Sequence, residues 1–320
     1  MAKRPSKTKP AAVRYQERPG ISTRYRLDRE EAELIDAVRA SSLDPALVQR
    51  QAFERSMQTL RDAMNDATAD LPSVPESDII DLSPFTLHSR RILVMSDLHI
   101  PFHDTHAVTE AMKAGRQFGA DCVLLNGDVM DNSSLSRHLP DRKQHKIEFK
   151  YERDRCEQFL DVLRAWFPNA LIVYKFGNHE NRFDLRLMTQ APELASDERV
   201  SLHELLRLKA RNIEYVEHWR FINAGKLNIM HGHEIHASGV YPSRTALLKT
   251  IDNVLHSHVH RTSEFSQKRI RGEYLGGWTT GCLCELNPIW LRHNQWNHGY
   301  ALIELDSDGS FEVTNKRILR

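Results

Sequence analysis

Several short, widely separated stretches of this chain end on the same few residue types. They are Asp97-Leu98-His99, Gly127-Asp128-Val129-Met130-Asp131, Gly177-Asn178-His179-Glu180, His231-Gly232-His233 and His256-Ser257-His258-Val259-His260. The first three each follow a short apolar run, so carboxylates, an amide and imidazoles collect at strand ends, where open α/β sheets bind ligands. A carboxylate has two oxygens and can bridge two cations. Gly127 ahead of Asp128 permits a sharp backbone turn. A mixed nitrogen and oxygen donor set suits Mn²⁺, Fe, Zn²⁺, Co²⁺ or Ni²⁺ better than Ca²⁺, which prefers oxygen alone. Asp97, His99, Asp128, Asn178, His231, His258 and His260 are more donors than one site needs, which is about four to six. With a bridging Asp128 they divide into two sites, and two neighbouring cations form a clamp for in-line displacement at phosphorus.

The elements that must position these residues alternate. Arg91 to Ser96 reads as a strand, Thr105 to Phe118 as a helix, Cys122 to Asn126 as a strand, Lys146 to Trp166 as a long helix and Ala170 to Phe176 as a strand. That spacing predicts βαβ units with largely parallel pairing, buried on both faces. Ile213 to Val216, Leu227 to Met230, Tyr274 to Leu275, Tyr300 to Leu305 and Phe311 to Arg317 are strand-like, with few long helices between them. They predict a second, more antiparallel sheet. Asp306-Ser307-Asp308-Gly309 reads as a hairpin turn.

Ahead of this α/β part, residues 1–26 read as a disordered basic tail, with eight Lys and Arg against Glu17 alone. Residues 27–70 read as a helical extension, with Asp28 and Glu31 as a capping-box variant and Asp44-Pro45 as a second helix start. Residues 71–89, with Pro72, Pro75 and Pro84, read as a linker, and 90–320 as the catalytic domain. The whole chain carries 44 basic and 43 acidic residues, so bulk charge argues for neither nucleic acid nor membrane, while 17 histidines stand out. No stretch reaches the roughly 18 apolar residues of a membrane span, and no apolar segment follows the basic N-terminus as in a signal peptide. Four cysteines without a zinc-knuckle spacing suit reduced thiols and a cytoplasmic location.

The set D-x-H, G-D-x-x-D, G-N-H-E, H-G and H-x-H, in that order over about residues 90 to 265, resembles the calcineurin-like metallophosphoesterase superfamily. The family usually has glycine where Ser257 precedes the last H-x-H. The resemblance implies a sandwich of two mixed β-sheets flanked by helices, and an enzyme with two divalent metal ions, manganese first among them. It implies that Asp97, His99 and His260 hold the first metal, that Asn178, His231 and His258 hold the second, and that Asp128 bridges both with a water or hydroxide that attacks phosphorus in line. It sets His179 apart as the group that contacts the phosphoryl oxygen or protonates the leaving alkoxide. Asp131 and Glu180 would orient His179 or a ligand imidazole, and Arg182 could grip a substrate phosphate.

Other features divide between chemistry and packing. His103, His233, His236 and His256 read better as loop, surface or packed residues than as ligands. Gly276 to Gly281 is not a nucleotide-binding loop; it reads as a strand passing close to the metal ligands. Trp290, Trp296 and Tyr300 could be a substrate wall or simple packing. The expected activity is hydrolysis of phosphomonoesters or phosphodiesters. A DNA or RNA nuclease is the alternative, and a nucleic-acid-binding or interaction module retaining the fold is a further one.

Overall fold

The computed structural model describes residues 45–68, 77, 82–137 and 147–319. The chain divides into two compact units, Met1–Ile79 and Ile80–Arg320. The basic tail, the first half of the helical extension and most of the linker lie outside the described residues. In the first unit, one helix, α1, runs Pro45–Thr68. It starts at the proline whose fixed φ suits a first helical position. Phe53, Met57, Leu60 and Met64 recur every three or four residues along one side of it.

The second unit holds two six-stranded sheets. The first contains β2 (Arg91–Met95), β3 (Cys122–Asn126), β4 (Leu171–Lys175) and β5 (Ile213–Val216) in parallel, with β11 (Gly299–Leu305) and β12 (Phe311–Arg317) antiparallel beside β2. The second is mixed, in the order β1 (Phe85–Leu87), β6 (Ile222–Ala224), β7 (Leu227–Ile229), β8 (Val254–His256), β10 (Tyr274–Thr279) and β9 (Ser263–Lys268). Helices α2 (Thr105–Phe118), α3 (Phe149–Trp166), α4 (Asn181–Gln190) and α5 (Pro242–Thr250) complete the main elements.

Burial on both faces explains why β2 to β4 read as continuous apolar runs. Ile92, Val94, Leu124 and Val173 point to the core between the sheets, where they meet Leu87, Ile222, Leu227 and Leu255. Leu93, Met95, Val123 and Ile172 point the other way, onto Val108 and Met112 of α2 and Leu160 and Leu163 of α3. The parallel βαβ part and the 306–309 turn thus follow the sequence pattern; Asp306 N–H bonds Ser310 O at 2.8 Å across that turn.

Of the runs expected to form a second, more antiparallel sheet, 213–216, 300–305 and 311–317 join the first sheet instead, because a strand's own pattern does not encode its partner. The 71–89 stretch read as linker contains β1, which pairs with β6 in parallel. Three residues after Pro84 are too few to show a period. Strand β10 continues past Leu275 through Gly276 and Gly277 to Thr279. A Cβ on Gly277 would sit 2.4 Å from Ser243 O of α5, so its bareness lets the helix close onto the sheet, while Thr280 at the end of the run bonds Ser257 beside the ligands.

Candidate metal centre

All of the candidate ligands sit just beyond strand ends. Asp97 and His99 follow β2, Asp128 follows β3, Asn178 follows β4, His231 follows β7, and His258 and His260 follow β8. Five of these seven take left-handed backbone: Asp97 (φ 52°), His99 (50°), Asp128 (53°), His258 (71°) and His260 (60°). Such conformations cost about 1–3 kcal/mol each for residues with a Cβ and persist only where the surroundings hold them. Around Asp97, His99 and Asp128 the neighbouring residues do the holding, since Leu98, Val129 and Met130 are fully buried in the core under α2 and α3. Ser257, the departure from the family's glycine, is not among the left-handed residues. Its position needs no glycine, because the turn falls on His258 instead.

The donor atoms converge in two groups around one carboxylate. In the first, His260 Nε2 lies 3.2 Å from Asp97 Oδ1 and 3.2 Å from His99 Nε2. His99 Nε2 is in turn 4.0 Å from Asp128 Oδ2. In the second, His231 Nε2 stands 3.1 Å from that same Asp128 Oδ2. His258 belongs with it: the ligand atoms of Asp128, His231 and His258 lie within 4.8 Å of one another. Two glycines make the convergence possible. A Cβ on Gly127 (φ 85°) would fall 2.3 Å from His231 Nδ1, and one on Gly177 would fall 2.3 Å from Asp128 Oδ1.

These residues fit divalent cations. Asp97 Oδ1, Asn178 Oδ1, His231 Nε2 and His258 Nδ1 are buried polar atoms without a hydrogen-bond partner, and such atoms are costly unless something compensates them. The tautomers point the same way. His99 Nδ1 bonds Asp131 Oδ1 at 2.8 Å and His231 Nδ1 bonds the Asn126 carbonyl at 2.8 Å. Both acceptors lack a proton, so each Nδ1 donates, and in the neutral ring each Nε2 turns a lone pair inward. A proton can take the cation's place. Burial opposes charge on His231, but Asp128 and Asp97 outweigh it and push the ring up to about 10. Burial likewise opposes charge on His260, and Asp97 pushes it up to about 10. Burial and the neighbouring His231 instead pull His258 down to about 4, leaving it neutral. Asp97 is held near 2 because His260 and His231 outweigh the cost of burying its charge.

Around the donors, Asp131 bonds His99, and its Oδ1 lies 3.1 Å from His179 Nδ1. These imidazoles hold its carboxyl well below the usual range despite burial. His179 Nδ1 donates to the Asp131 carbonyl at 2.8 Å, and its Nε2 accepts from Arg182 Nη2 at 2.9 Å. His179 Nε2 also faces Asp128 Oδ2 at 3.8 Å. Glu180 differs from the expectation that it orients an imidazole. Its fully buried carboxylate accepts from the backbone N–H of Asp128 (3.0 Å), Val129 (2.8 Å), Met130 (3.0 Å) and Gly177 (2.8 Å), and from Tyr174 O–H (2.8 Å). It therefore shapes the two ligand-bearing loops rather than any ring.

Three supports have no motif in the sequence. Lys175, fully buried at the end of β4, pairs with Glu234 at 2.8 Å. Glu234 accepts the N–H groups of His231 and Gly232 and so fixes the His231 loop. Burial raises the cost of the Glu234 charge, but Lys175 and nearby imidazoles hold its carboxyl near 2. Ser257 and Ser96 each bond Thr280 Oγ1, at 2.9 and 3.0 Å, and Asn126 Nδ2 donates to Ser257 Oγ at 2.9 Å. This buried chain ties the ends of β2, β3, β8 and β10. Cys284 Sγ stands 3.9 Å from His260 Nδ1. Of their residues, Ser257 alone stands in one of the sequence motifs, where the family usually has glycine.

His256 is buried and bonds Ser257 O and Thr279 Oγ1, a packing role. His236 is exposed, and His233 meets His218 at 3.3 Å. Trp296 stacks edgewise on the His260 ring with centroids 4.1 Å apart, whereas Tyr300 packs into the core.

The model of the calcineurin-like phosphoesterase family matches residues 90–303. The chain belongs to that family and is a metal-dependent phosphoester hydrolase. It is 28% identical over 182 residues to the Gene 54 protein of Mycobacterium phage L5, covering 54% of this chain and 70% of that one. Similar solved structures include Vacuolar Protein Sorting 29 from Cryptosporidium parvum, with 13% identity, a TM-score of 0.36 and coverage of 72% of this chain and 99% of that one. A dimetal phosphatase from Danio rerio shows 10% identity and a TM-score of 0.36, covering 71% of this chain and 96% of its own. Among the described residues, no helix is long and apolar enough to cross a membrane.

Proposed function

We propose that the protein hydrolyses phosphomonoesters or phosphodiesters at a two-cation site. Asp97, His99 and His260 would hold one cation, Asn178, His231 and His258 the other, and Asp128 both. The observation that carries this is the position of Asp128 Oδ2, shared by the imidazole groups of His99 and His231 at 4.0 and 3.1 Å. Two bound cations supply charge to neutralise the phosphoryl oxygens and acidify a water near neutral pH. The chain's own residues supply the rest. Asp131 fixes the rings of His99 and His179. Because His179 Nδ1 is committed to the Asp131 carbonyl, Nε2 is the ring nitrogen that can meet the substrate. Without bound cations, burial disfavours a charged His179, but Asp128 and Asp131 favour it more and raise it above its ordinary value. A second proton on His179 Nε2, which would displace the hydrogen bond that this nitrogen accepts from Arg182, is the one that the leaving alkoxide would take as the ester P–O bond breaks. Arg182, released from that nitrogen, contacts a phosphoryl oxygen.

A chelated sample assayed on nitrophenyl phosphate and bis(nitrophenyl) phosphate tests this. Loss of hydrolysis with EDTA, recovery with Mn²⁺ and two metals per chain by elemental analysis are expected. Turnover by the chelated protein would overturn the reading.

A further inference from the structure

Two cavities adjoin the candidate site, and among the described residues no carboxylate lines either. The first, about 360 Å³, is bounded by the candidate ligand His258 together with Arg261, Gln295 and Trp296. Trp296 is half-buried, braced on one side by the His260 ring and by Trp290 at 5.7 Å between centroids. Arg261 is held by neutral oxygens alone, the Gln295 side chain at 2.5 Å and the Gly239 carbonyl. Its charge is thus positioned without being neutralised. The volume falls within the range of small-molecule sites, about 300–1,000 Å³. A fixed indole beside a guanidinium that neutral oxygens hold suits a planar ring with an anion attached to it.

The second cavity, about 200 Å³, brings together Arg137, Arg182 and Arg186 with the hydroxyl-bearing Thr189. Arg182 and Arg186 are one turn apart on α4, so like charges stand side by side, which is unfavourable without an anion between them. Among the described residues, none of Arg137, Arg182, Arg186 and Arg261 forms an ion pair with a carboxylate within 4.0 Å. Arg182 is the link to the reaction, through its bond to His179. Three guanidiniums in one small concavity are the chemistry of a phosphate subsite.

We infer that the substrate is single-stranded nucleic acid, with an unpaired base against Trp296 and Arg261 and a phosphate flanking the reacting one held by Arg137 and Arg186, next to Arg182 on the reacting phosphoryl group. This rests on the phosphoesterase reading above and extends it from reaction to substrate class. A phosphomonoester or a small diester would fill the metal site and leave the Trp296 cavity, Arg137 and Arg186 unused. A strand offers a phosphate on either side of the scissile one and a base that stacks when unpaired. A duplex keeps its bases paired and cannot fill the aromatic cavity.

The test uses the full chain and the variants Arg137→Gln/Arg186→Gln and Trp296→Ala, with circular dichroism and melting temperature to confirm folding. Fluorescence anisotropy in EDTA first measures binding of a labelled single-stranded oligonucleotide, so this arm stands even if hydrolysis is absent. At least tenfold weaker binding is expected for each variant, with a shallower salt dependence for the double arginine variant. A duplex of the same sequence should bind at least tenfold more weakly than the single strand. With Mn²⁺ restored, each variant should lose at least tenfold in kcat/KM on the oligonucleotide, and the double arginine variant should keep its bis(nitrophenyl) phosphate turnover within about twofold. Unchanged oligonucleotide binding in folded variants, or equal binding of single strand and duplex, overturns the inference. Failure of the wild type to turn over any ester would instead sink the phosphoesterase reading.

Discussion

Glu180 holds Asp128 through the backbone: Glu180 Oε2 accepts the Asp128 N–H at 3.0 Å, while the other oxygen takes those of Val129 and Met130. The carboxylate is acceptor-only, and every nearby group is a donor. Glu180→Gln places an NH₂ against one of them and leaves an N–H buried and unpaired. We expect a loss of about 2–4 kcal/mol in urea unfolding from the broken charged hydrogen bonds, with metal affinity down at least tenfold. A variant matching wild type in both would show that the loop keeps its shape without the carboxylate.

Asp128→Asn removes the oxygen shared by both groups of ligands. Occupancy of both metals and hydrolysis should fall together, with activity down about a thousandfold or more, equivalent to roughly 4 kcal/mol of barrier. Elemental analysis that still finds two metals per chain in this variant would contradict a shared ligand.

His179→Ala should separate chemistry from metal binding. His179 would give up a proton without holding a cation, so metal content should stay at the wild-type level. The rate should drop by about 10²–10⁴, the usual range for a lost general acid. The deficit should be smallest on esters with acidic leaving groups such as nitrophenolate. A uniform deficit across leaving groups would move His179 from proton donor to phosphoryl contact.

Metal affinity should rise with pH. His231 and His260 are both pushed up to about 10, so below that pH each carries a proton that a cation must displace. Released protons favour binding as pH climbs, by about tenfold per pH unit for each proton lost. Calorimetric titration of the EDTA-treated protein with Mn²⁺ at pH 6, 7 and 8, in buffers of differing ionisation enthalpy, reads the number directly. No proton release would refute protonated imidazoles in the empty site.

Lys175→Met leaves Glu234 as a buried charge without its partner. Stability should fall by about 3–5 kcal/mol, as when one member of a buried pair is removed. Adding Glu234→Gln should recover part of that loss, with a coupling of about 1–3 kcal/mol. Strictly additive losses would mean that the pair is not a unit.

Much of the fold was legible because β2, β3 and β4 are buried on both faces and their helices carry clear periodicity. Strand β1 and helix α5 were not. Three residues show no period, and α5 contains few apolar residues to mark a face. The donors of the candidate centre were legible because each motif is short and local. Glu180 was visible as a residue but not in its role: a glutamate beside a histidine looks like a ring partner until Asp128, 52 residues earlier, folds against it.

The sequence by itself determined which donor atoms are present and their order along the chain. Those depend on residue type and on a few neighbouring positions. Only the tertiary structure decided which atoms meet. The His258 N–H reaches Asp97 Oδ2 across 161 residues, and Lys175 finds Glu234 from another sheet. Trp296 comes to lie on His260 through a loop that no periodicity describes. Contacts of that kind arise from the packing of two sheets against each other, and the spacing along one strand does not encode them.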